Sequence, residues 1–387
     1  MSLRPFTPTD VDAVNALHRD VWWPERSAEG WAWLDANPAR LDIGAPSGWV
    51  IQDRTGRPAA FLGNMIQRFW QDDRRTHGAT GFSIIVPPSV RGASRHLIRA
   101  FVEQPDVFAA YTFNANSRSA PLYARFGMAA WPPRTHHLKL SWIIDPIDCL
   151  HGRILREAVK RAPNLSDPYR ERFMHRRLGA PRQPRLPSQV SPLEDFGDAS
   201  DYADFWSALR REGRLLADRS PQILRWRRSD PDQRTPPVTV AFRRDGVITG
   251  TAMAMMAKAN PIEPAFLEVL DLVALESDSQ AIPALMQALM AEGRARGAAK
   301  VRLQVVGEEL LRRLGPWTSG ARREGGWGHS HVRFHPDGPD HHAWSPTPFD
   351  ADHAFCQRPV PVIDRPVRDR PAIDKRRGSG TALPPQD

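Results

Sequence analysis

The pattern of apolar and polar positions in the first part of the chain switches repeatedly between a helical and a strand period. After the capping oxygens of residues 7–10, apolar residues recur at helical spacing from Val11 to Val21, which predicts an amphipathic helix. Apolar runs at 48–52 and 59–68 flank a turn-forming segment, which predicts a β-hairpin. Local periodicity therefore favours a domain that mixes helices with paired strands.

The pattern continues in the same manner up to residue 142. It predicts strands at 78–86, 107–113 and 136–142, and helices at 94–104 and 117–126. Antiparallel hairpins combined with helices indicate an α+β or mixed α/β domain in which helices flank a sheet.

The remainder of the chain repeats this order. The hairpin at 238–255, the strand at 266–273 and the helix at 279–294 follow the first set after about 190 residues, which predicts an internal duplication. We therefore expect a first lobe at 1–142, a basic, proline-rich linker at 143–190 and a second lobe at 191–355. A helix is predicted at the start of the linker, and 356–387, without an aromatic residue, is predicted to be disordered.

Composition narrows the class of protein. The chain has 387 residues, 41% hydrophobic and 25% charged, which excludes fibrous and wholly disordered classes. Two cysteines cannot build a disulfide scaffold or a cysteine zinc site, and no metal is expected. No apolar run approaches the length of a membrane span and no signal peptide is recognisable, so a cytoplasmic protein is predicted.

The net charge of +9 is confined to two segments. Residues 151–190 carry +7 and residues 356–387 carry +3, so the rest of the chain is close to neutral. The predicted lobes therefore lack the basic surface of a nucleic-acid-binding protein, and no nucleic-acid partner is expected for them.

Two segments of the first lobe carry candidate chemistry. The first is a predicted strand that leads through Arg91, Gly92 and Arg95 into a helix, and such a junction offers backbone N–H groups to a pyrophosphate. The second runs from Asn116 through Tyr123 and places the tyrosine on a short helix. An ordinary strand–helix turn and a tyrosine that only packs against the sheet are the alternative interpretations.

The spacing of these residues resembles the GNAT superfamily of acyl-CoA-dependent N-acyltransferases. The matching positions are Leu3, Arg4, Pro5, Thr9, Asp10, Val86, Pro88, Arg91, Gly92, Asn116, Ser119, Leu122, Tyr123, Gly127 and Met128. The resemblance covers the first lobe well and the second more weakly, so the chain looks like a tandem GNAT protein of bacterial type.

The resemblance implies a set of roles in the first lobe. The thioester carbonyl would accept backbone N–H bonds near Ile85 and Val86, where the fourth strand separates from the fifth. The pyrophosphate would lie on Arg91, Gly92, Ala93, Ser94 and Arg95, and Asn116 would help to position the pantetheine arm or the loop. Tyr123 would protonate the departing thiolate. Acetyl-CoA or another acyl-CoA would be the co-substrate, and an amine, either a small molecule or a protein lysine, would attack directly.

The chain also departs from the GNAT pattern. His96 adds bulk beside the loop, and residues 80–86 include no acid that could deprotonate the amine, which leaves His77 or a water relay as the candidate base. In the second lobe, residues 276–282 contain neither arginine nor glycine and Leu311 stands at the tyrosine position, so this lobe is expected to be non-catalytic. Two alternatives to an acyl-CoA-dependent N-acyltransferase stay open. One is an aminoacyl-tRNA-dependent transferase of related fold that uses the basic linker, and the other is a non-catalytic GNAT-fold binding protein.

Overall fold

The computed structural model describes residues 2–21, 23–117, 119–161, 178, 182–233, 235–258, 263–325, 328–354 and 358–359. No helix within these ranges is long and apolar enough to cross a membrane. Part of the predicted linker lies outside the described residues, as does the predicted tail except for 358–359.

The first half of the chain forms short helices and strands close to the predicted positions. Its strands are β1 Ser2–Pro5, β2 Gly48–Gln52, β3 Pro58–Gln71, β4 Arg74–Ile85, β5 Ala109–Thr112, β6 Ala129–Ala130 and β7 Leu138–Ile143. Its helices are α1 Val11–Asp20, α2 Ala28–Asp35, α3 Pro38–Ile43, α4 Ala93–Val102, α5 Ala120–Arg125 and α6 Pro146–Arg161. Helix α6 is the helix predicted at the start of the linker.

The second half repeats the order of elements. Its strands are β8 Val190–Pro192, β9 Leu216–Ala217, β10 Val238–Arg244, β11 Val247–Lys258, β12 Phe266–Ala274, β13 Lys300–Leu303, β14 Arg322–Gly325, β15 His331–Phe334 and β16 Arg358–Pro359. Its helices are α7 Asp201–Arg210, α8 Pro221–Arg228, α9 Ala281–Ala295 and α10 Glu308–Leu314.

The strands assemble into two sheets of matching topology. The first has the order β1-β2-β3-β4-β5-β15-β6 and the second β14-β7-β13-β12-β11-β10-β8, with β9 added to β3 and β16 to β11. In the described residues β4 pairs parallel with β5, and β12 with β13, whereas the other neighbours are antiparallel. Each parallel pair needs a crossover, which α4 and α9 supply. The predicted pair of mixed, mostly antiparallel sheets flanked by helices is confirmed.

The two sheets exchange one strand each. Strand β7, which was expected to close the first lobe, instead pairs with β13 and β14 of the second sheet. In return, β15 from the second half pairs with β5 and β6 of the first sheet. The prediction that the strand at 136–142 closes the first lobe is therefore wrong. Either sheet offers the same antiparallel edge to a strand of this length. The exchange makes each sheet depend on both halves of the chain.

Buried apolar clusters of the described residues pack against both sheets. Leu97, Ile98 and Phe101 of α4 are buried against the first sheet, and α9 is buried in the same way against the second. A further buried cluster, which includes Tyr111 and Trp344, joins the first sheet to side chains of the second half. The strand exchange and this shared core hold the two sheets together.

Candidate active site

The site begins where β4 and β5 separate. The two strands pair only from Gly78 to Thr80, opposite Ala109 to Tyr111, although β4 continues to Ile85. Beyond Thr80 the parallel ladder therefore has no partner strand on this side, and a cleft opens there. This separation is the one that the resemblance implied for the fourth and fifth strands.

Strand β4 is also distorted at the cleft. Its pairing with β3 shifts register between the pairs Phe61–Ile85 and Gly63–Phe82, and Ser83 has a φ of +51°. A non-glycine residue seldom adopts this left-handed conformation, and a bulge of this kind re-aims backbone groups beside a site. Ser83 and Ile84 line the cleft, whereas the sequence directed attention to the next two residues.

The cleft has two adjoining parts, which we call the inner and the outer cleft. The inner cleft, about 240 Å³, is lined by His18, Trp23, Pro24, Arg26, Gly81, Phe82, Ser83, Ile84, Thr112, Asn114, Ala115, Asn116, Ser119, Tyr123 and Asp352. The outer cleft, about 1000 Å³, is lined by Asp20, Val21, Trp23, Ile84, Ile85, Val86, Pro87, Pro88, Arg91, Gly92, Ser94, Asn116, Ser119 and Leu122. The two parts are continuous, because they share the lining residues Trp23, Ile84, Asn116 and Ser119.

The predicted pyrophosphate loop lies along the outer cleft. Gly92 has a φ of +91° and immediately precedes α4, a conformation that glycine adopts without steric cost. Arg91, Gly92 and Ser94 line the cleft, so a charged side chain and the first N–H groups of a helix face the same space. Ala93 is buried and Arg95 is exposed, and neither lines the cleft.

His96 does not obstruct this loop. Its side chain is exposed and its Nε2 lies 3.3 Å from Nε of Arg95. The histidine is not among the residues that line the outer cleft. The His96 side chain, which was expected to crowd the loop, therefore lies outside the cleft.

Asn116 and Ser119 form the turn that starts α5. The Ser119 N–H donates to Oδ1 of Asn116 at 3.0 Å, and the Asn116 N–H donates to Oγ of Ser119 at 3.0 Å. This reciprocal capping fixes the orientation of a helix only six residues long. Both residues line both parts of the cleft, which puts Asn116 at the junction.

Tyr123 projects from α5 into the inner cleft. Its side chain is buried, and Thr112 lines the same part of the cleft. Burial raises the pKa of Tyr123, and the negative charge of Asp352 raises it further. A tyrosine phenol carries its proton at neutral pH, and these two effects make it hold that proton more tightly.

The opposite part of the inner cleft comes from the segment around α1 and α2. His18 is buried with Nδ1 2.8 Å from the carbonyl oxygen of Pro24, and burial lowers its pKa. Because that carbonyl only accepts, Nδ1 carries the proton and Nε2, which has no hydrogen-bond partner among the described residues, keeps its lone pair. Arg26 is held by a 2.5 Å ion pair with Asp230 of the second half.

His77, the candidate base from the sequence, lies away from the cleft. It is near the start of β4, with Nε2 3.0 Å from Oδ2 of Asp42, and it lines neither part of the cleft. This placement contradicts its assignment as a base. The sequence analysis did not single out four other residues that line the inner cleft, because no local motif marks them. They are His18, Arg26, Ser83 and Asp352.

The equivalent junction of the second half is filled by protein groups. Oδ1 of Asp278 accepts the N–H of Gln280 at 3.0 Å, immediately before α9, so a carboxylate already lies where an anion would bind. Arg313 donates to the carbonyl oxygens of Ala274, Leu275 and Asp278 at 2.8–3.0 Å. That the second lobe is non-catalytic stays a prediction.

Comparison with known proteins gives matches at the level of structure. No protein-family model matches the chain, and no curated protein matches its sequence. A conserved protein of unknown function from Enterococcus faecalis V583, described as a probable N-acyltransferase, is similar with a TM-score of 0.50 and 12% identity. The similarity covers 86% of this chain and 72% of that one.

Two further solved structures give weaker matches over the same share of this chain. A GCN5-related N-acetyltransferase from Kribbella flavida has a TM-score of 0.47 and 14% identity, covering 86% of this chain and 71% of that one. N-myristoyltransferase from Saccharomyces cerevisiae, with bound myristoyl-CoA, has a TM-score of 0.49 and 9% identity, covering 86% and 77%. At such low identity the similarity establishes architecture and not substrate. The chain therefore shares its fold with the Enterococcus faecalis protein.

Proposed function

We propose that the protein is an acyl-CoA-dependent N-acyltransferase with its active site in the first sheet. The observation that carries this proposal is the continuity of the cleft, which joins the loop at Arg91 to the bulge at Ser83 and to the Tyr123 hydroxyl. An acyl-CoA needs these three features in this order, because its pyrophosphate, thioester carbonyl and sulfur follow one another along the molecule.

The outer cleft would hold the coenzyme. Arg91 and the N–H groups at the start of α4 would bind the pyrophosphate, and Arg95 would add charge from the exposed side of the helix. Asn116, at the junction of the two parts, would orient the pantetheine arm. Ile85 and Val86 line the outer cleft next to the bulge, where the thioester carbonyl would accept a backbone N–H.

The inner cleft would hold the reacting groups. The acceptor nitrogen attacks the thioester carbon, so that an N–C bond forms, the C–S bond breaks and the electron pair of that bond goes to sulfur. The Tyr123 hydroxyl gives its proton to the thiolate, and the amine proton leaves to a base. A volume of about 240 Å³ suits an acetyl group and a small amine better than a long acyl chain, which favours acetyl-CoA.

A free acyl-CoA pool is a property of the cytoplasm, and the proposed reaction agrees with the cytoplasmic location predicted from the sequence. The acceptor class proposed is an amine, from a small metabolite or a protein. The non-catalytic lobe would shape the site through the strands and side chains that it contributes to the first sheet.

Tyr123→Phe tests the proposed chemistry. Acetyl-CoA binding is measured by calorimetry, and acetyl transfer to hydroxylamine is measured as thiol release. We expect an unchanged Kd and a kcat lowered about 10²- to 10⁴-fold, the usual contribution of a general acid. Tyr202→Phe, which removes another buried hydroxyl bonded at 2.6 Å to the Arg219 carbonyl, is the control and should keep its kcat.

Arg91→Ala tests the binding part of the proposal. It should weaken acetyl-CoA binding, whereas Arg54→Ala, in the exposed hairpin turn, should not. Absence of acetyl-CoA binding to the wild type at millimolar concentration would refute the acyl-CoA function and favour a different binding role. Loss of transfer after ribonuclease treatment would favour the tRNA-dependent alternative.

A further inference from the structure

The proposed reaction requires a group that takes a proton from the acceptor amine. An alkyl ammonium is not nucleophilic, because its nitrogen has no lone pair until that proton has gone. Among the described residues that line the inner cleft, Asp352 is the only carboxylate. It comes from the far end of the second half, and its side chain is buried.

The segment that carries Asp352 is fixed against the first sheet. The carbonyl oxygen of Asp350 accepts a 2.6 Å hydrogen bond from the Tyr111 hydroxyl and another from Nε2 of Gln67. Tyr111 is the last residue of β5 that pairs with β4 before the strands separate. Asp352, two residues further along the chain, is therefore delivered to the point at which the cleft opens.

The same segment is anchored on the second half. Nε1 of Trp344 donates to Oδ2 of Asp350 at 2.9 Å, and Nη2 of Arg227 donates to the Phe349 carbonyl at 2.8 Å. Oγ1 of Thr347 donates to Oδ1 of Asp271 at 2.8 Å. A segment held by these buried contacts keeps its position without the cost of ordering a mobile loop.

Asp352 also acts electrostatically on the proposed acid. Its charge is one of the causes that raise the pKa of Tyr123, so the carboxylate and the phenol lie within interaction range in one buried space. The charge also acts on Tyr111 and Lys139, and His18 and Arg26 line the same cleft. A carboxylate here offers the counter-charge that an ammonium group needs when it leaves water.

We propose that Asp352 is the catalytic base of the transfer, supplied to the first sheet by the second half of the chain. This inference rests on the proposed acyltransferase function. Asp352 first takes one proton from the acceptor ammonium and passes it to water, which gives the nitrogen a lone pair. The nitrogen then attacks, the N–C bond forms, the C–S bond breaks, and Tyr123 protonates the sulfur. The second proton that the nitrogen loses as the amide forms restores the Tyr123 hydroxyl. The acid and the base thus come from opposite halves of the chain.

His18 is the competing base, and its chemistry differs from that of Asp352. Its Nε2 has a lone pair but lies among aromatic rings, with the Trp31 and Phe61 ring centroids at 6.0 and 6.1 Å from its own. A neutral imidazole in such surroundings gives an ammonium group no counter-charge. The carboxylate is therefore the better partner for a cationic acceptor.

Two surrogate acceptors separate proton removal from other effects of a substitution. Ethanolamine is protonated at pH 7 and must lose a proton before it attacks, whereas hydroxylamine is largely neutral. With acetyl-CoA as donor, Asp352→Asn should lower transfer to ethanolamine about 10²-fold or more and transfer to hydroxylamine much less. The variant should bind acetyl-CoA as tightly as the wild type does, which also shows that it is folded.

Controls distinguish the possible failures. Asp337→Asn, which neutralises an exposed carboxylate outside the cleft, should leave both reactions unchanged. Equal losses with both acceptors, or no loss with either, would overturn the assignment of Asp352 while leaving the acyltransferase function intact. An ethanolamine-selective loss in His18→Gln instead of Asp352→Asn would assign the base to the imidazole and also overturn it. Failure of the wild type to bind acetyl-CoA would reject the proposed function itself.

Discussion

Arg219→Met should destabilise the fold strongly, because Arg219 is a buried cation that joins several segments of the second half. Its side chain is 1% exposed. It donates to both oxygens of Asp271 at 2.8 and 3.1 Å, to Oγ1 of Thr347 at 2.7 Å and to the Ala217 carbonyl at 2.8 Å. Asp350, also fully buried, lies 3.4 Å away.

The expected loss of stability follows from the buried carboxylates that lose their cation. Methionine fills a similar volume but leaves Asp271 and Asp350 buried without this cation, and breaking a buried ion pair in this way costs about 3–5 kcal/mol. An exposed pair costs about 1 kcal/mol or less, so Arg225→Met, which breaks an exposed pair with Asp198, is the matched control. The free energy of unfolding is measured for both variants by urea denaturation.

A third variant tests the cause of the loss. Arg219→Met combined with Asp271→Leu removes one orphaned carboxylate, so part of the lost stability should return. If Arg219→Met costs no more than Arg225→Met, the buried network does not stabilise the fold and the reasoning fails. Because the network anchors the segment that carries Asp352, Arg219→Met should also lower acetyl transfer more than it lowers acetyl-CoA affinity.

Three further predictions concern single groups. Burial raises the pKa of Asp350 from 3.8 to about 6, so its favourable contribution to stability is complete below pH 3.8 and declines as the pH rises through 6. Asp350→Asn should therefore cost about 1 kcal/mol more at pH 5 than at pH 7.5 in urea denaturation, and a pH-independent cost would contradict this. Gly92→Ala should lower the free energy of unfolding by about 1–2 kcal/mol through backbone strain alone, since an added Cβ meets no atom within 4 Å. A neutral effect would show that the loop adopts another conformation. Calorimetry should find one acetyl-CoA site per chain, and Arg313→Ala should not create a second, because Asp278 still caps α9; a stoichiometry of two would refute the non-catalytic second lobe.

Local pattern was sufficient for most of the elements that surround the site. The hairpin β2–β3, the helix α4 and the short helix that bears Tyr123 all lie close to the predicted positions. Each depends on periodicity, capping residues and turn residues that are near neighbours in the chain. The hairpin β10–β11 and the helix α9 were predicted in the second half for the same reason.

The sequence did not indicate the partner of each edge strand. Residues 138–143 have the apolar pattern of a strand, but the same pattern fits the open edge of either sheet. The structure places this strand in the second sheet and brings β15 to the first. Pairing between distant strands depends on the packing of the whole molecule, which one segment does not encode.

By itself, the sequence determined the order of elements, the loop at Arg91 and Gly92, and the place of Tyr123 on its helix. Only the tertiary structure decided what stands opposite the tyrosine. His77, close to the cleft in sequence, is paired with Asp42 away from it, whereas Asp352, from the other half of the chain, lines it. The physical reason is that local structure depends on neighbours in the chain, whereas a site depends on neighbours in space. Here those neighbours are set by an exchanged strand and a buried arginine network.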